Sequence, residues 1–121
     1  MLNVEQNKKY LITGGSGFLG EKLIERILDF GGKVVTLARD EGKLIELKQK
    51  FPQVEILTGD ICDKYDVHQA TKDISGIFHL AAFKHVGIAE KQSRECVRTN
   101  VLGSLNILEA AAENKLDFVI G

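Results

Sequence analysis

The sequence predicts an α/β fold, a doubly wound parallel sheet of about five strands in the order 3-2-1-4-5. Two observations carry that prediction. Short apolar, β-branched runs alternate with stretches of helical periodicity from Tyr10 to Ile120, and the joins between them are short. The first apolar run also breaks into a cluster of glycines and passes straight into a helical pattern, the order expected of an opening strand–turn–helix unit. At 121 residues the chain reads as a single domain. A domain of that size buries roughly 65% of its unfolded surface, enough for one modest core.

Taken in order, residues 1–9 are polar and read as a loose lead-in, and Tyr10-Leu11-Ile12 is a buried strand. The helix from Phe18 to Phe30 places Leu23, Ile24, Ile27 and Leu28 on one face and Glu21, Lys22, Glu25, Arg26 and Asp29 on the other. Gly31-Gly32 ends it, as glycine just past a last helical turn commonly does. Lys33 to Ala38 is the second strand. Asp40 can cap a helix that runs to about Phe51, with Leu44 and Leu47 inward and Pro52 closing it. Val54 to Thr58 is the third strand and leads into Gly59-Asp60-Ile61-Cys62-Asp63, with a weaker helix over about Lys64 to Thr71. Gly76 to Ala82 is the fourth strand. The longest helix spans about Ser93 to Asn114, with Val97, Val101, Leu105, Leu108 and Ala112 as its apolar stripe. Asp117 to Ile120 is the fifth strand.

The stretch from Thr13 to Gly20 reads Thr13-Gly14-Gly15-Ser16-Gly17-Phe18-Leu19-Gly20. Gly15, Gly17 and Gly20 fit G-x-G-x-x-G, and Gly14 adds a second register, G-x-x-G-x-x-G. In such a turn the first glycine permits the tight reversal, the second lets backbone N–H groups approach a pyrophosphate, and the third lets helix and strand pack closely. The negative charge then lies on a helix N-terminus, where unpaired N–H groups and the macrodipole favour an anion. The rival phosphate loop, G-x-x-x-x-G-K-[ST], does not fit, because Glu21 stands between Gly20 and Lys22 and no Ser or Thr follows. A dinucleotide is therefore the expected ligand.

The end of the second strand selects the dinucleotide. An acidic residue there bonds the ribose 2′-hydroxyl of NAD, whereas arginine accommodates the 2′-phosphate of NADP. Ala38-Arg39-Asp40 stand at that end, so Arg39 points to NADP, with NAD as second choice. The alternative for Arg39 is a solvated surface residue, and Asp40 either faces the ribose or caps the helix. Asp60 stands where a carboxylate can accept from the adenine amino group and Ile61 where it can cover the ring; the plainer role for Asp60 is to bond its own turn. Ala81 and Ala82 are small enough to let the cofactor lie against the backbone, and Lys84 beyond them can meet phosphate or substrate or remain a solvated loop residue. His79 in its apolar strand reads as a satisfied core residue.

With 44% hydrophobic and 27% charged residues and a formal net charge of −1, nothing favours nucleic acid or an anionic membrane as partner. No apolar run approaches the ~20 residues of a membrane span, and the first residues lack a signal pattern. Cys62 and Cys96 stand far apart, which argues against a disulfide framework or a zinc site and suits a cytoplasmic, metal-free domain.

Together, Thr13 to Gly20, Gly59-Asp60-Ile61 and His79-Leu80-Ala81-Ala82 resemble the extended short-chain dehydrogenase/reductases, with their Rossmann-like fold. Ala81 to Val86, Ala89-Glu90, Glu95-Cys96, Thr99 to Asn106 and Ala38 to Glu41 are similar to the polysaccharide-biosynthesis branch, the UDP-N-acetylglucosamine 4,6-dehydratases and UDP-sugar 4-epimerases. The resemblance runs from about Lys9 to Ile120. It implies pyrophosphate binding at Gly14, Gly17 and Gly20, NADP phosphate binding at Arg39, and adenine binding at Asp60 and Ile61. It also implies that a Tyr-x-x-x-Lys pair, the acid/base and its lysine, follows the fifth strand by about a helix. The two tyrosines here, Tyr10 and Tyr65, precede that place and neither has a lysine four residues on.

The expectation is accordingly a truncated, single NAD(P)-binding domain over residues 1–121, without the catalytic segment or the C-terminal substrate part. It would be inactive alone and would meet a nucleotide-sugar only if the missing half is supplied. The alternative is a non-catalytic module that senses NADP(H) or joins a partner. An uncovered fifth strand is expected to pair with a second copy, giving a homodimer.

Overall fold

The computed structural model describes residues 5–14, 17–80, 90–114, 116 and 118–120, with the side chains of 90–100 and 118–120 outside that description. β1 (Lys9–Thr13), β2 (Lys33–Ala38), β3 (Glu55–Thr58) and β4 (Gly76–His79) form a parallel sheet in the order β3-β2-β1-β4. The backbone of β5 (Phe118–Ile120) lies parallel beside β4. The predicted fold class and the order of the first four strands hold. Fourth-strand residues Ala81 and Ala82 lie outside the described residues.

The central strands are apolar on both sides because helices cover both faces, as a parallel sheet requires. On one face Tyr10, Ile12, Val34 and Phe78 pack against Ile24 and Ile27 of α1 (Phe18–Asp29) and Leu47 of α2 (Glu41–Lys50). On the other, Leu11, Val35, Leu37 and Ile77 meet Val67 and Ala70 of α3 (Lys64–Ala70) and Ile107 and Ala110 of α4 (Glu90–Asn114). The end of α1 and the start of α2 fall where the sequence signals them, while α4 begins at Glu90, ahead of the expected Ser93. Gly31 N–H bonds Leu28 O and Gly32 N–H bonds Ile27 O, closing α1. The Asp40 side chain accepts from Lys43 N–H at the start of α2, so its capping role is the one realised.

One expectation needs correction. Of the apolar stripe assigned to the long helix, Val101, Leu105 and Leu108 are 55–57% exposed and Ala112 is exposed too, while Val97 lies outside the described side chains. The face against the sheet is instead Gly103, Asn106, Ile107 and Ala110. Both faces have helical spacing. The inward one is less apolar because α4 approaches the β3 loop so closely that a glycine and an amide, not leucines, fit the contact. Self-association through β5 depends on the side chains of Phe118 and Ile120, which also lie outside the described residues.

Candidate functional site

Parallel register brings the strand C-termini to one edge. Thr13 of β1 stands opposite Leu37 of β2 and His79 of β4, and Ala38 stands opposite Thr58 of β3. The turns that leave this edge, Gly14 to Gly17, Arg39-Asp40 and Gly59 to Asp63, are therefore neighbours along one rim. Leu80 N–H bonds Thr13 O and Gly59 N–H bonds Ala38 O, both at 2.9 Å, extending the alignment one residue beyond the strands.

At the centre of the rim the chain leaves β1 through Gly14, whose φ of +73° is in the left-handed region that side chains rarely adopt. Gly15 and Ser16 lie outside the described residues. Gly17 is the N-cap of α1 and offers no side chain to cap it. Intrahelical bonding begins with Glu21 N–H on Gly17 O at 2.9 Å, so the N–H groups of the first turn have no partner within the helix. Gly20 is buried where α1 meets the sheet, while Phe18 and Leu19 are 80% and 65% exposed. A capless, small-residue helix start that follows a left-handed glycine fits an anionic group.

At the β3 end, Arg39 is exposed and Asp60 and Ile61 are half-buried. Asp60 Oδ1 accepts from Cys62 N–H at 2.9 Å, the turn role, and Asp60 N–H donates to Asp66 Oδ2 at 3.0 Å. Burial, joined by the Asp60 carboxylate, pushes the Cys62 thiol up, and the Arg39 guanidinium pulls it down, so the charges of Arg39 and Asp60 act on one loop. Ala81, Ala82 and Lys84 lie outside the described residues.

The sequence assigns no role to three of the residues that support this rim, Gly103, Ser104 and Asn106, while its reading of His79 as a satisfied core residue holds. Thr13 Oγ1 and His79 Nδ1 are 2.6 Å apart, and His79 Nε2 lies 3.1 Å from Ser104 Oγ of α4. Both ring nitrogens are thus partnered, and burial lowers the His79 pKa. Asn106 Nδ2 donates to Ile61 O at 2.9 Å. A Cβ placed on Gly103 would overlap the Ile61 side chain. The available signal was a glycine, a serine and an asparagine on one side of an otherwise helix-favouring stretch, where glycine costs about 1 kcal/mol relative to alanine and so wants a packing reason. No group of acidic, histidine or cysteine residues among those described could hold a metal, and no described helix is long and apolar enough to cross a membrane.

A parallel sheet wound on both faces, with a glycine turn running from its central strand into a helix, defines a Rossmann-like domain. Residues 10–121 match the model of a family described as polysaccharide biosynthesis protein. The chain belongs to that family. It is 37% identical over 111 residues to the inverting UDP-N-acetylglucosamine 4,6-dehydratase of Campylobacter jejuni, covering 88% of this chain and 33% of that protein. It is 33% identical over 121 residues to a UDP-glucose 4-epimerase of Rickettsia bellii, covering 94% and 36%. Among solved structures, Pen from Bacillus thuringiensis matches with a TM-score of 0.87 and 32% identity over 94% of this chain and 36% of that one. Bordetella bronchiseptica WbmG, in complex with NAD and UDP, matches with a TM-score of 0.77 and 25% identity, covering 94% and 36%. The chain thus spans about a third of the length of the curated relatives it matches.

Proposed function

We propose that this chain is the NADP(H)-holding half of a nucleotide-sugar dehydratase or epimerase of polysaccharide biosynthesis. The observation that carries the reading is the turn at the head of β1, where left-handed Gly14 leads to an uncapped α1 start at Gly17 and a buried Gly20. Its family, and its likeness to a UDP-N-acetylglucosamine 4,6-dehydratase and to a structure holding NAD and UDP, support the ligand classes. On this reading Thr13, Gly14, Gly15, Ser16, Gly17 and Gly20 cradle the pyrophosphate, with Phe18 and Leu19 beside it. Ala81, Ala82 and Lys84 would face the nicotinamide half.

Two features favour NADP over NAD. Asp40, the carboxylate that would take a free ribose 2′-hydroxyl, is engaged as a helix cap, and Arg39 next to it is exposed at the strand end. Asp60 and Ile61 would receive the adenine. When bound, the nicotinamide supplies a hydride acceptor and donor. On this reading these residues bind and orient it and are assigned no proton transfer to or from a sugar. The nucleotide-sugar and the acid/base pair belong, on this proposal, to a further part of the enzyme. A two-fold dimer through the β5 edge is the assembly proposed, and light scattering at tens of micromolar tests it; a monomer there counts against it.

Calorimetric titration with NADPH and NADH tests the cofactor reading. Tighter binding of NADPH, removed as a preference by Arg39→Ala, is the expected result. A folded chain that takes up neither dinucleotide to millimolar concentration would defeat the proposal.

A further inference from the structure

The loop after β3 is tied both by local bonds and by bonds from α3 and α4. Within it, Cys62 N–H bonds Asp60 Oδ1 and Asp63 N–H bonds Asp60 O, both at 2.9 Å, which closes a small turn around Asp60. Its tilt against the sheet is set from outside. Asp66 of α3 accepts from Asp60 N–H, and Asn106 of α4 donates to Ile61 O from 45 residues away. Asn106 is only 5% exposed, so this amide bond sits in a low-dielectric setting where losing it strands a carbonyl. One helical turn earlier, Gly103 is so close to Ile61 that any side chain would displace it. Hydrogen bond and absent Cβ act on the same residue from the same helix face, one drawing the Ile61 backbone in and the other making room for its side chain.

We infer that Gly103 and Asn106 are positioning residues that fix Asp60 and Ile61 in the attitude needed to receive the adenine end of the dinucleotide. The inference rests on the cofactor reading above and adds residues of α4 that do not touch the ligand. It makes the adenine subsite a composite of three segments, the β3 loop, α3 and α4, in contrast to the glycine turn. It also separates adenine affinity from the rest of the site, because the contacts described for both residues run to Ile61 of the β3 loop.

The test compares wild type, Asn106→Leu, and Gly103→Ala in both the Ile61 and Ile61→Ala backgrounds. Two probes are titrated: NADPH, and reduced nicotinamide mononucleotide, which lacks the adenosine half. Hydrogen exchange of the Asp60 and Cys62 amides is followed without ligand. Asn106→Leu should weaken NADPH about tenfold, the scale of one hydrogen bond, and leave the mononucleotide within about twofold. It should also speed exchange at Asp60 and Cys62 but not at Leu11 and Ile12 of β1. Gly103→Ala should weaken NADPH in the Ile61 background and have no further effect once Ile61 is alanine. Equal weakening of both probes, or unchanged exchange at Asp60 and Cys62, would overturn the inference. Failure of the wild type to bind NADPH would overturn the cofactor reading instead, and exchange alone would then decide whether the latch exists.

Discussion

The centre of the rim and its β3 end lie on the same sheet edge and are built in different ways. The turn after β1 is made by consecutive residues: a left-handed glycine, an uncapped helix start and a buried glycine within one helical turn. The loop after β3 is held by Asp66 and by α4, with Asn106 bonding across 45 positions. A local device depends on backbone freedom and is lost when one glycine is changed. A composite device depends on packing between distant elements, and its failure is graded. Substitutions should separate the two.

The largest effect on stability is expected from Asn106→Leu, which takes the donor from the carbonyl of half-buried Ile61 at a cost of about 1–3 kcal/mol. Denaturant unfolding measures it, and an unchanged midpoint would mean that the loop finds another donor. Gly14→Ala should cost somewhat less, about 1–2 kcal/mol for forcing a side chain into the left-handed region, while removing dinucleotide binding altogether. That pairing of a modest stability loss with a complete binding loss would distinguish the local device from the composite one.

The Thr13–His79–Ser104 chain joins the ends of β1 and β4 to α4, and pH should probe it. Burial lowers the His79 pKa below its ordinary value of 6.5, so folding favours the neutral ring. Its contribution is complete above pH 6.5 and declines as pH falls below that value, because the unfolded chain takes up the proton first. The melting temperature should therefore drop between pH 7.5 and the mildly acid range, and His79→Gln should flatten that slope. A slope unchanged by the substitution would assign the pH dependence to other groups. The smallest stability effect belongs to Arg39→Ala, an exposed residue whose loss should stay within about 0.5 kcal/mol and show only in the preference for NADPH.

The same division explains what could be read from the sequence. Strand order, the helix caps at Asp40 and Gly31-Gly32 and the glycine turn follow from neighbours in the chain, and each is where the residues signal it. The orientation of α4 is not a local property. Periodicity singled out the greasier stripe of Val101, Leu105 and Leu108, yet the sheet takes the side bearing Gly103, Asn106, Ile107 and Ala110. The partner that decided the matter, Ile61, comes from another part of the chain and asked for closeness more than for apolar area. The role of Ser104 is hidden for the same reason, since it is defined by His79 on another element.

The most direct measurement of the central claim is an amide chemical-shift titration of the isotopically labelled chain with NADPH. The account predicts saturable shifts concentrated at Gly14, Gly17, Gly20, Arg39, Asp60 and Ile61, at the centre of the rim and its β3 end together. Shifts confined to the opposite edge of the sheet, or none at millimolar NADPH in a folded chain, would contradict it.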